Sequence, residues 1–227
     1  MKTVLLGLAA ALTLAGAAAA APNTLTAQEK AAGWKLLFDG KDLAGWRGFK
    51  AAAPDAGWKI VDGVLSPDPK TSKDIISKDE FANFELSFQW KISPKGNSGV
   101  MYHVIEQGDE TYESGPEYQI LDNAHGEKPP QQAGSLFALY QPSRDATRPV
   151  GEFNQGRLVV DHGHVQHWLN GVKVVEYDLG SPDFKARVAA SKFKAWPQFA
   201  SSPTGHIALQ NHGDAVFFKD IKIRVLK

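Results

Sequence analysis

Cysteine is absent from this sequence of 227 residues, and so is net charge, since 25 basic residues balance 25 acidic ones. The absence of cysteine excludes disulfide bonds and thiolate chemistry, so stability must come from the packed core. The balanced charge, without long runs of one sign, argues against a nucleic-acid or membrane surface. The expected partner is a small neutral molecule, and the oligomeric state stays open.

Several catalytic and metal-binding motifs are also missing. The sequence has no HExxH motif, no cysteine pair and no EF-hand loop for a metal ion, no GxSxG motif for a serine nucleophile and no glycine-rich phosphate loop. Serine-nucleophile hydrolysis and phosphate binding of these types are therefore not expected. A divalent metal ion held by side chains from separate strands remains open, because such a site leaves no sequential motif.

The N-terminus has the pattern of an export signal. Lys2 precedes an apolar run from Val4 to Ala21 that ends in small residues of the kind that signal peptidase accepts. Its leucine-rich part is shorter than the roughly 20 strongly apolar residues that span a bilayer. We therefore expect residues 1–21 to be cleaved, the mature chain to have no membrane attachment, and the protein to be periplasmic or secreted.

Short alternating segments separated by turn residues fill the rest of the chain. The run Phe84–Ile92 alternates between apolar and polar side chains at every position, which predicts a strand with one core face. Asp62-Gly63 and Asn170-Gly171 mark two β-hairpins. Residues 22–227 are therefore predicted to form a single all-β domain, a sandwich of two antiparallel sheets.

Helices and long loops are few in this pattern. Thr26 and Glu29 have the spacing of a capping box, which predicts one short helix after Thr26. The intervals 124–153 and 189–204 lack a clear alternation. Because long loops in compact domains often carry binding residues, these two intervals are candidates for the walls of a site.

The segment Glu117–Leu121 carries the first candidate site. Strand alternation places Glu117 and Gln119 on one face, and Tyr118 and Ile120 on the other. If the apolar pair faces the core, a carboxylate and an amide point together at a hydroxylated ligand. The alternative is an ordinary sheet face exposed to solvent.

A second candidate lies in the strand that follows Asn97. Alternation puts His103 on the same face as Met101, from which it would meet Glu117 across neighbouring strands. A histidine beside a carboxylate is a common pair for general acid-base catalysis or metal binding. The alternative is a hydrogen-bonded surface histidine.

Two further polar groups complete the candidate set. Beyond the strand near Leu209, alternation sends Gln210 and His212 away from the core. Asp122 and His125, directly after the Glu117 strand, form a possible acid and imidazole pair at a strand end. The alternative for Asp122 is a role in the turn.

These segments, in this order, resemble the bacterial family named 3-keto-disaccharide hydrolase, which has a concanavalin A-like jelly-roll fold of the lectin and glucanase type. The resemblance covers nearly the whole mature chain. One departure concerns His103, where members of that family often carry arginine. The motifs that carry the resemblance are Trp34–Trp46, Asn97–Val100, Gly115–Asp122, Leu169–Gly171 and Gly205–Gly213.

The resemblance implies a carbohydrate-processing enzyme that acts on 3-keto-glucosides or 3-keto-disaccharides by elimination and hydration. A ketone at C3 acidifies the hydrogen on C2, and the resulting enolate expels the substituent on C1. Glu117 or His125 is then the expected base. His103, His212 or a divalent ion would stabilise the enolate oxygen.

The same resemblance suggests which residues hold the sugar. Asn97, Gln119 and Gln210 are expected to orient hydroxyl groups, and Trp196 in the second long loop is expected to stack on a sugar ring. Lys194, beside Trp196, is a further expected substrate contact. The alternative for Trp196 is a loop anchor packed on the core.

Two other functions fit the same residues. Glu117 with Glu113 or Asp122 could perform ordinary two-carboxylate glycoside hydrolysis. A carbohydrate-binding module without catalysis would use the same polar face only to hold a glycan.

Overall fold

The computed structural model describes residues 21–125 and 129–227. Apart from Ala21, the predicted export signal lies outside these residues. In the described part of the chain, thirteen strands form two antiparallel sheets with a shared apolar core between them. The predicted two-sheet antiparallel sandwich is therefore confirmed.

The described secondary-structure elements are mostly strands, with two α-helices and four short 3-10 helices. The strands are β1 Lys35–Leu36, β2 Trp46–Gly48, β3 Lys59–Val61, β4 Val64–Ser66, β5 Ile75–Phe81, β6 Phe84–Ile92, β7 Asn97–Val104, β8 Glu117–Leu121, β9 Asn154–Asp161, β10 His164–Leu169, β11 Val172–Asp178, β12 Gly205–Leu209 and β13 Val216–Val225. The helices are α1 Ala27–Ala31 and α2 Pro182–Ala190, and the 3-10 helices are Thr111–Glu113, Asn123–His125, Pro129–Gln131 and Lys192–Ala195.

The two sheets differ in size and in what they carry. The larger sheet has eight strands in the order β11-β10-β9-β6-β13-β4-β3, and β1 pairs with β13 beside this path. The smaller sheet has five strands in the order β2-β5-β12-β7-β8. Strands β7 and β8 of the smaller sheet contain four of the candidate site residues, namely Asn97, His103, Glu117 and Gln119, and Gln210 directly follows β12.

The alternation in β6 produces the core face that the sequence predicts. Phe84, Leu86 and Phe88 are fully buried between the sheets. On the opposite face Glu85 is also buried, because Arg157 and Arg224 form ion pairs with its carboxylate. The outer face of the larger sheet is thus closed by paired charges.

Both predicted hairpin turns have the backbone conformation that their sequences favour. The φ angles are 50° and 74° at Asp62 and Gly63, and 49° and 81° at Asn170 and Gly171. A two-residue turn of this type needs a positive φ at both positions, which asparagine, aspartate and glycine adopt most easily. These turns fix the β3–β4 and β10–β11 pairings.

The helices confirm one prediction and add one element. Helix α1 begins at Thr26 with the predicted capping box to Glu29. Helix α2 has no counterpart in the sequence predictions, although Ser181 caps it and Pro182 occupies its first turn, which is a common helix-start pattern. No helix in the described part of the chain is both long and apolar enough to cross a membrane.

Part of the first long loop completes the smaller sheet. The Gly134 amide donates to the Gln119 carbonyl at 2.9 Å, and the Phe137 amide donates to the Glu117 carbonyl at 3.1 Å. From the core, the Nδ1 atom of buried His167 donates to the Gly134 carbonyl at 3.1 Å. The loop therefore lies along β8 and places Phe137 beside Glu117.

Gly156 allows a test of the core packing. A Cβ atom added at this residue of β9 would lie 2.5 Å from Cε2 of Phe88. We predict that Gly156→Ala lowers the free energy of unfolding by about 1–3 kcal/mol, the usual cost of overpacking. Denaturant unfolding measures this change. The double variant Gly156→Ala with Phe88→Leu should recover part of the loss, and equal stability of Gly156→Ala and the natural chain would contradict this packing.

Candidate functional site

Strand β8 presents its two polar side chains on the outer face of the smaller sheet. Tyr118 and Ile120 are fully buried in the core, as predicted. Glu117 and Gln119 occupy the opposite face, yet they are only 6% and 1% exposed. The alternative of an ordinary solvated sheet face is therefore wrong at these two residues, and a carboxyl group is buried outside the main core.

The strand register brings a second amide to the same place. Gln119 of β8 is paired with Gly99 of β7, and the backbone amide of Gln210 donates to the Gly99 carbonyl at 3.0 Å. Gly99 therefore lies between the two glutamines in the sheet. Glu117 and Gln119 share a face because strand residues two apart do so, and Gln210 continues the row from the end of β12.

Gly99 leaves the space that the carboxyl group of Glu117 occupies. A Cβ atom on Gly99 would lie 2.8 Å from both Cγ and Cδ of Glu117, and closer still to Oε1. The Glu117 side chain thus bends over the backbone of the neighbouring strand. No larger residue fits at position 99 without moving this carboxyl group.

The surroundings of Glu117 favour its neutral form. Burial raises the pKa of Glu117 to about 8, the Lys192 ammonium opposes this rise, and the Asp74 carboxyl adds to it. Among the described residues, no side chain or backbone amide forms a hydrogen bond with the Glu117 carboxyl group. The group is therefore poised to exchange a proton near neutral pH, which suits a general acid or base.

Asp74 is a second carboxyl group near Glu117, and it is partly buried. It accepts hydrogen bonds from the Thr111 hydroxyl and from the Asn211 amide. Burial raises its pKa to about 6, and these hydrogen bonds oppose the rise. Asp74 thus ties the β7–β8 connection to the end of β12, and its charge acts on Glu117.

Lys192 is a cation near Glu117, and its ammonium group lies close to three aromatic rings. Its Nζ atom is 4.6 Å from the ring centre of Phe137, 5.2 Å from that of Tyr112 and 5.3 Å from that of Phe193. Desolvation lowers the pKa of Lys192, and the nearby Glu117 carboxyl opposes this. The rings stabilise the ammonium group without neutralising it.

A groove of about 500 Å³ opens beside Lys192. This volume is within the roughly 300–1,000 Å³ usual for small-molecule sites. The groove combines apolar walls with two cations and several polar groups. Its lining residues are Pro130, Gln131, Phe137, Ala138, Leu139, Arg187, Ala190, Ser191 and Lys192.

Sequence comparison identifies the family to which this arrangement belongs. The model of the family described as "3-keto-alpha-glucoside-1,2-lyase-like domain" matches residues 33–224. The chain belongs to this family. It is 32% identical to a 3-keto-disaccharide hydrolase from Bacteroides thetaiotaomicron, over 92% of this chain and 83% of that protein.

Solved structures similar to this family member share its architecture. A candidate glycosyl hydrolase from Parabacteroides distasonis has a TM-score of 0.86 and 37% identity, covering 91% of this chain and all of that one. A second candidate glycosyl hydrolase from the same organism has a TM-score of 0.69 and 31% identity, covering 85% and 99% of the two chains. The predicted family resemblance is therefore confirmed.

In this member of the 3-keto-alpha-glucoside-1,2-lyase-like family, His103 does not join Glu117, and the prediction that they meet is wrong. His103 has a φ of 51° and forms a β-bulge, since Met101 pairs with Ala208 while Val104 already pairs with His206. Three steps along β7 thus match two along β12, which reverses the alternation after Tyr102, so that Val104 lies on the same face as Met101.

The bulge turns His103 toward a different part of the sandwich. Its Nε2 atom donates to the Ala82 carbonyl at 2.8 Å, and its ring packs edge-on against Phe84 and Tyr102. It is 4% exposed, and burial lowers its pKa. His103 is thus a satisfied buried histidine.

Asp122 and His125 lie at another end of the sheet. They are near each other, with 3.7 Å between His125 Nε2 and Asp122 Oδ2. The Asp122 carboxylate also accepts hydrogen bonds from the amides of Lys95 and Ala124. Asp122 lines a separate cavity of about 430 Å³ and, by alternation, points away from the Glu117 side of β8. The pair exists, but it is not beside Glu117.

Asn97 and His212 are two further predicted polar contacts. Asn97 shares the face of Gly99, and its side-chain oxygen is buried with no hydrogen-bond partner among the described residues. His212 is exposed and close enough to Asp74 for its charge to lower the pKa of that carboxyl group. Both remain predicted substrate contacts.

Trp196 and Lys194 line one cavity but differ in exposure. Trp196 is half-buried, with its ring edge-on to Tyr112 at 5.5 Å and near Phe193 at 6.2 Å. It therefore has the loop-anchor packing, although it also supports Tyr112 beside Lys192. Lys194 is exposed and lines a cavity on the far side of its 3-10 helix, among residues that do not include Glu117 or Lys192.

Sequence reasoning missed Lys192 and Asp74. Lys192 is two positions before Lys194, and a 3-10 helix has about three residues per turn, so the two side chains point in different directions. Nothing in the local sequence indicates which of the two reaches Glu117. Asp74 precedes β5 without any motif.

No group of three or more histidine, aspartate or glutamate side chains in residues 21–125 and 129–227 is arranged to hold a metal ion. The site has two carboxyl groups, two side-chain amides and one ammonium group. They belong to Glu117, Asp74, Gln119, Gln210 and Lys192. The chemistry that this set offers directly is proton transfer and the stabilisation of negative charge on oxygen.

The burial of Glu117 predicts a pH-dependent stability difference. The pKa of Glu117 is about 8 in the folded protein and about 4.3 in an unfolded chain. The folded state thus binds the extra proton between these values, and stability falls as pH rises through this range. Glutamine is neutral at every pH, so Glu117→Gln avoids this loss.

We therefore predict that Glu117→Gln has nearly natural stability at pH 5 and gains on the order of a few kcal/mol relative to the natural chain at pH 8.5. Denaturant unfolding at both pH values measures this difference. The exposed Glu152→Gln variant is the control and should show no such change. A stability difference for Glu117→Gln that stays constant with pH would contradict the buried, neutral carboxyl group.

Proposed function

We propose that this protein is a carbohydrate hydrolase that cleaves glycosidic bonds of 3-keto-glucosides or 3-keto-disaccharides by elimination and hydration. The observation that carries the proposal is the buried Glu117 carboxyl group over Gly99, with a pKa near neutral pH, in a chain of this family. The name of the Bacteroides thetaiotaomicron relative supports the same substrate class.

The chemistry requires a base at C2 of the oxidised sugar. Ionised Glu117 removes the proton from C2, and the electron pair of that C–H bond forms a C2–C3 double bond while the ketone oxygen becomes an enolate. The ketone then re-forms, a double bond forms between C1 and C2, and the C1–oxygen bond breaks. The leaving oxygen takes up the proton that Glu117 removed from C2, and Glu117 is ionised again. Water finally adds its hydroxyl to C1 and its hydrogen to C2, so the sum is hydrolysis.

The amides beside Glu117 supply the positioning that this reaction needs. Gln119 donates through Nε2 to the Gln131 carbonyl at 3.1 Å, which fixes the orientation of its amide. The side-chain oxygens of Gln119 and Gln210 are buried and have no partner among the described residues. The Gln119 amide is thus an oriented group, and both side-chain oxygens can accept from sugar hydroxyls while Glu117 acts at C2.

Ordinary two-carboxylate hydrolysis has less support. Its second carboxylate would be Glu113 or Asp122, and both accept hydrogen bonds from backbone amides instead of standing free beside Glu117. A binding module without catalysis does not require a carboxyl group whose pKa is near 8. We infer a periplasmic or secreted location from the N-terminal sequence pattern alone.

The mature protein, incubated with a 3-keto-glucoside and with its unoxidised parent, tests this function. We expect sugar release only from the oxidised substrate, because only the ketone acidifies the C2 hydrogen. Glu117→Gln should lower kcat by about a hundred- to ten-thousand-fold, the usual contribution of a well-placed base. Parallel reactions with a chelator reveal any need for a metal ion. Equal cleavage of both substrates would end the elimination mechanism.

Gly99 gives an independent test of the same carboxyl group. We predict that Gly99→Ala lowers kcat at least tenfold, because the added methyl group displaces the Glu117 carboxyl from over the backbone. The control is Gly45→Ala, where the nearest atom is an ordinary 3.5 Å away. Kinetics of both variants, with circular dichroism to confirm folding, measure the effect. Full activity in folded Gly99→Ala would show that the position of Glu117 does not matter.

A further inference from the structure

Lys192 is held near Glu117 but is not paired with it. Its charge lowers the pKa of Glu117, yet no carboxylate of the described residues lies within ion-pair distance of its Nζ atom. Three aromatic rings surround the ammonium group instead, at 4.6 to 5.3 Å. An ammonium group kept in such a setting has donors left for a ligand, since each ring engages only its charge.

The position of Lys192 connects the groove with the buried carboxyl group. The residue is exposed to the groove of about 500 Å³, which Phe137 and Gln131 also line. The same Phe137 donates its amide to the Glu117 carbonyl, and Gln131 accepts from the Gln119 side chain. A ligand in this groove therefore contacts Lys192, and two residues of the groove wall also form hydrogen bonds with Glu117 and Gln119.

We propose that Lys192 binds the ketone oxygen on C3 of the substrate and is the catalytic group that makes this site selective for oxidised sugars. This inference rests on the function proposed above and names the group that recognises its substrate class. The Lys192 ammonium donates a hydrogen bond to the ketone oxygen and stabilises the negative charge that this oxygen gains when the C2 proton leaves.

The separation of the two charged groups suits this role. The hydrogen removed by Glu117 is on C2, while the oxygen that becomes negative is on the neighbouring C3. A base and a charge-stabilising group that were joined in an ion pair could not reach these two atoms together. Lys192 keeps its proton throughout, so the electrons move only from the C2–H bond to the ketone oxygen, and back again when the C1–oxygen bond breaks.

The neighbouring lysine provides a matched control. Lys194 is exposed on the same 3-10 helix but lines a different cavity. We expect Lys192→Met to lower kcat on a 3-keto-glucoside by about a hundred- to a thousand-fold, as for the loss of a donor to a developing oxyanion. Lys194→Met should stay within twofold of the natural enzyme. Lys192→Arg, which keeps a cationic donor, should recover at least tenfold over Lys192→Met.

Two further measurements separate this role from a structural one. The pH dependence of kcat/KM should shift to higher pH in Lys192→Met, because the ammonium group no longer favours the ionised form of Glu117. Calorimetric titration of Glu117→Gln with the oxidised and the parent sugar should show tighter binding of the oxidised one. This preference should disappear when Lys192→Met is added.

The outcomes distinguish the two proposals. If the natural enzyme cleaves 3-keto-glucosides and folded Lys192→Met behaves like Lys194→Met, the role of Lys192 is wrong while the proposed function stands. If Lys192→Met unfolds, Lys192→Arg decides, and activity as low as that of Glu117→Gln would overturn the inference. If the natural enzyme does not distinguish oxidised from parent sugars, both proposals fail.

Discussion

The desolvation of one carboxyl group is the interaction on which the site depends. Glu117 lies on the outer face of a sheet, where a glutamate is normally solvated, yet it is only 6% exposed and its carboxyl group lies over Gly99 of the neighbouring strand. An ionised carboxylate in such a place loses its water, so the neutral form is favoured and the pKa rises. A fully solvated or ion-paired glutamate would be a much weaker base at neutral pH, since its pKa would be lower.

The packed core of the sandwich stabilises the fold enough to allow Glu117 to be buried. A chain without cysteine depends on its packed core for stability, and here that core is built from the inner faces of both sheets. The outer face of the smaller sheet is thereby left for Glu117, Gln119 and Gln210. The packing of the core offsets the free energy that is needed to keep Glu117 out of water. A free loop has no such packing beneath it, so the site lies on strands.

Strand alternation was sufficient to predict the central part of the site and the fold. Alternation in β6, together with the two glycine-containing turns, predicted the two-sheet architecture, and alternation in β8 placed Glu117 opposite Tyr118. These predictions needed only local regularity. They succeeded because the apolar face of each of these strands packs against the single core between the two sheets.

Alternation failed where the backbone departs from regular geometry or where contacts come from distant parts of the chain. The bulge at His103, which has a positive φ, adds one residue to β7 and turns the His103 side chain to the opposite face of the sheet. A histidine in the sequence does not indicate such a bulge. Lys192 is brought to Glu117 by the docking of a 3-10 helix 75 positions away in sequence. No local pattern encodes that contact, so the sequence alone does not indicate that Lys192, and not Lys194, lies near Glu117.

The loss of His103 from the site changes which charges can act on a substrate. With His103 bound to the Ala82 carbonyl, the cation whose charge lowers the pKa of Glu117 is Lys192. A lysine keeps its charge over the pH range in which Glu117 titrates, whereas a histidine loses its own charge near neutrality. Base and cation can therefore both be ionised at the same pH. The proposed enolate intermediate needs both groups in these forms, and burial of the carboxyl group alone would not provide the cation.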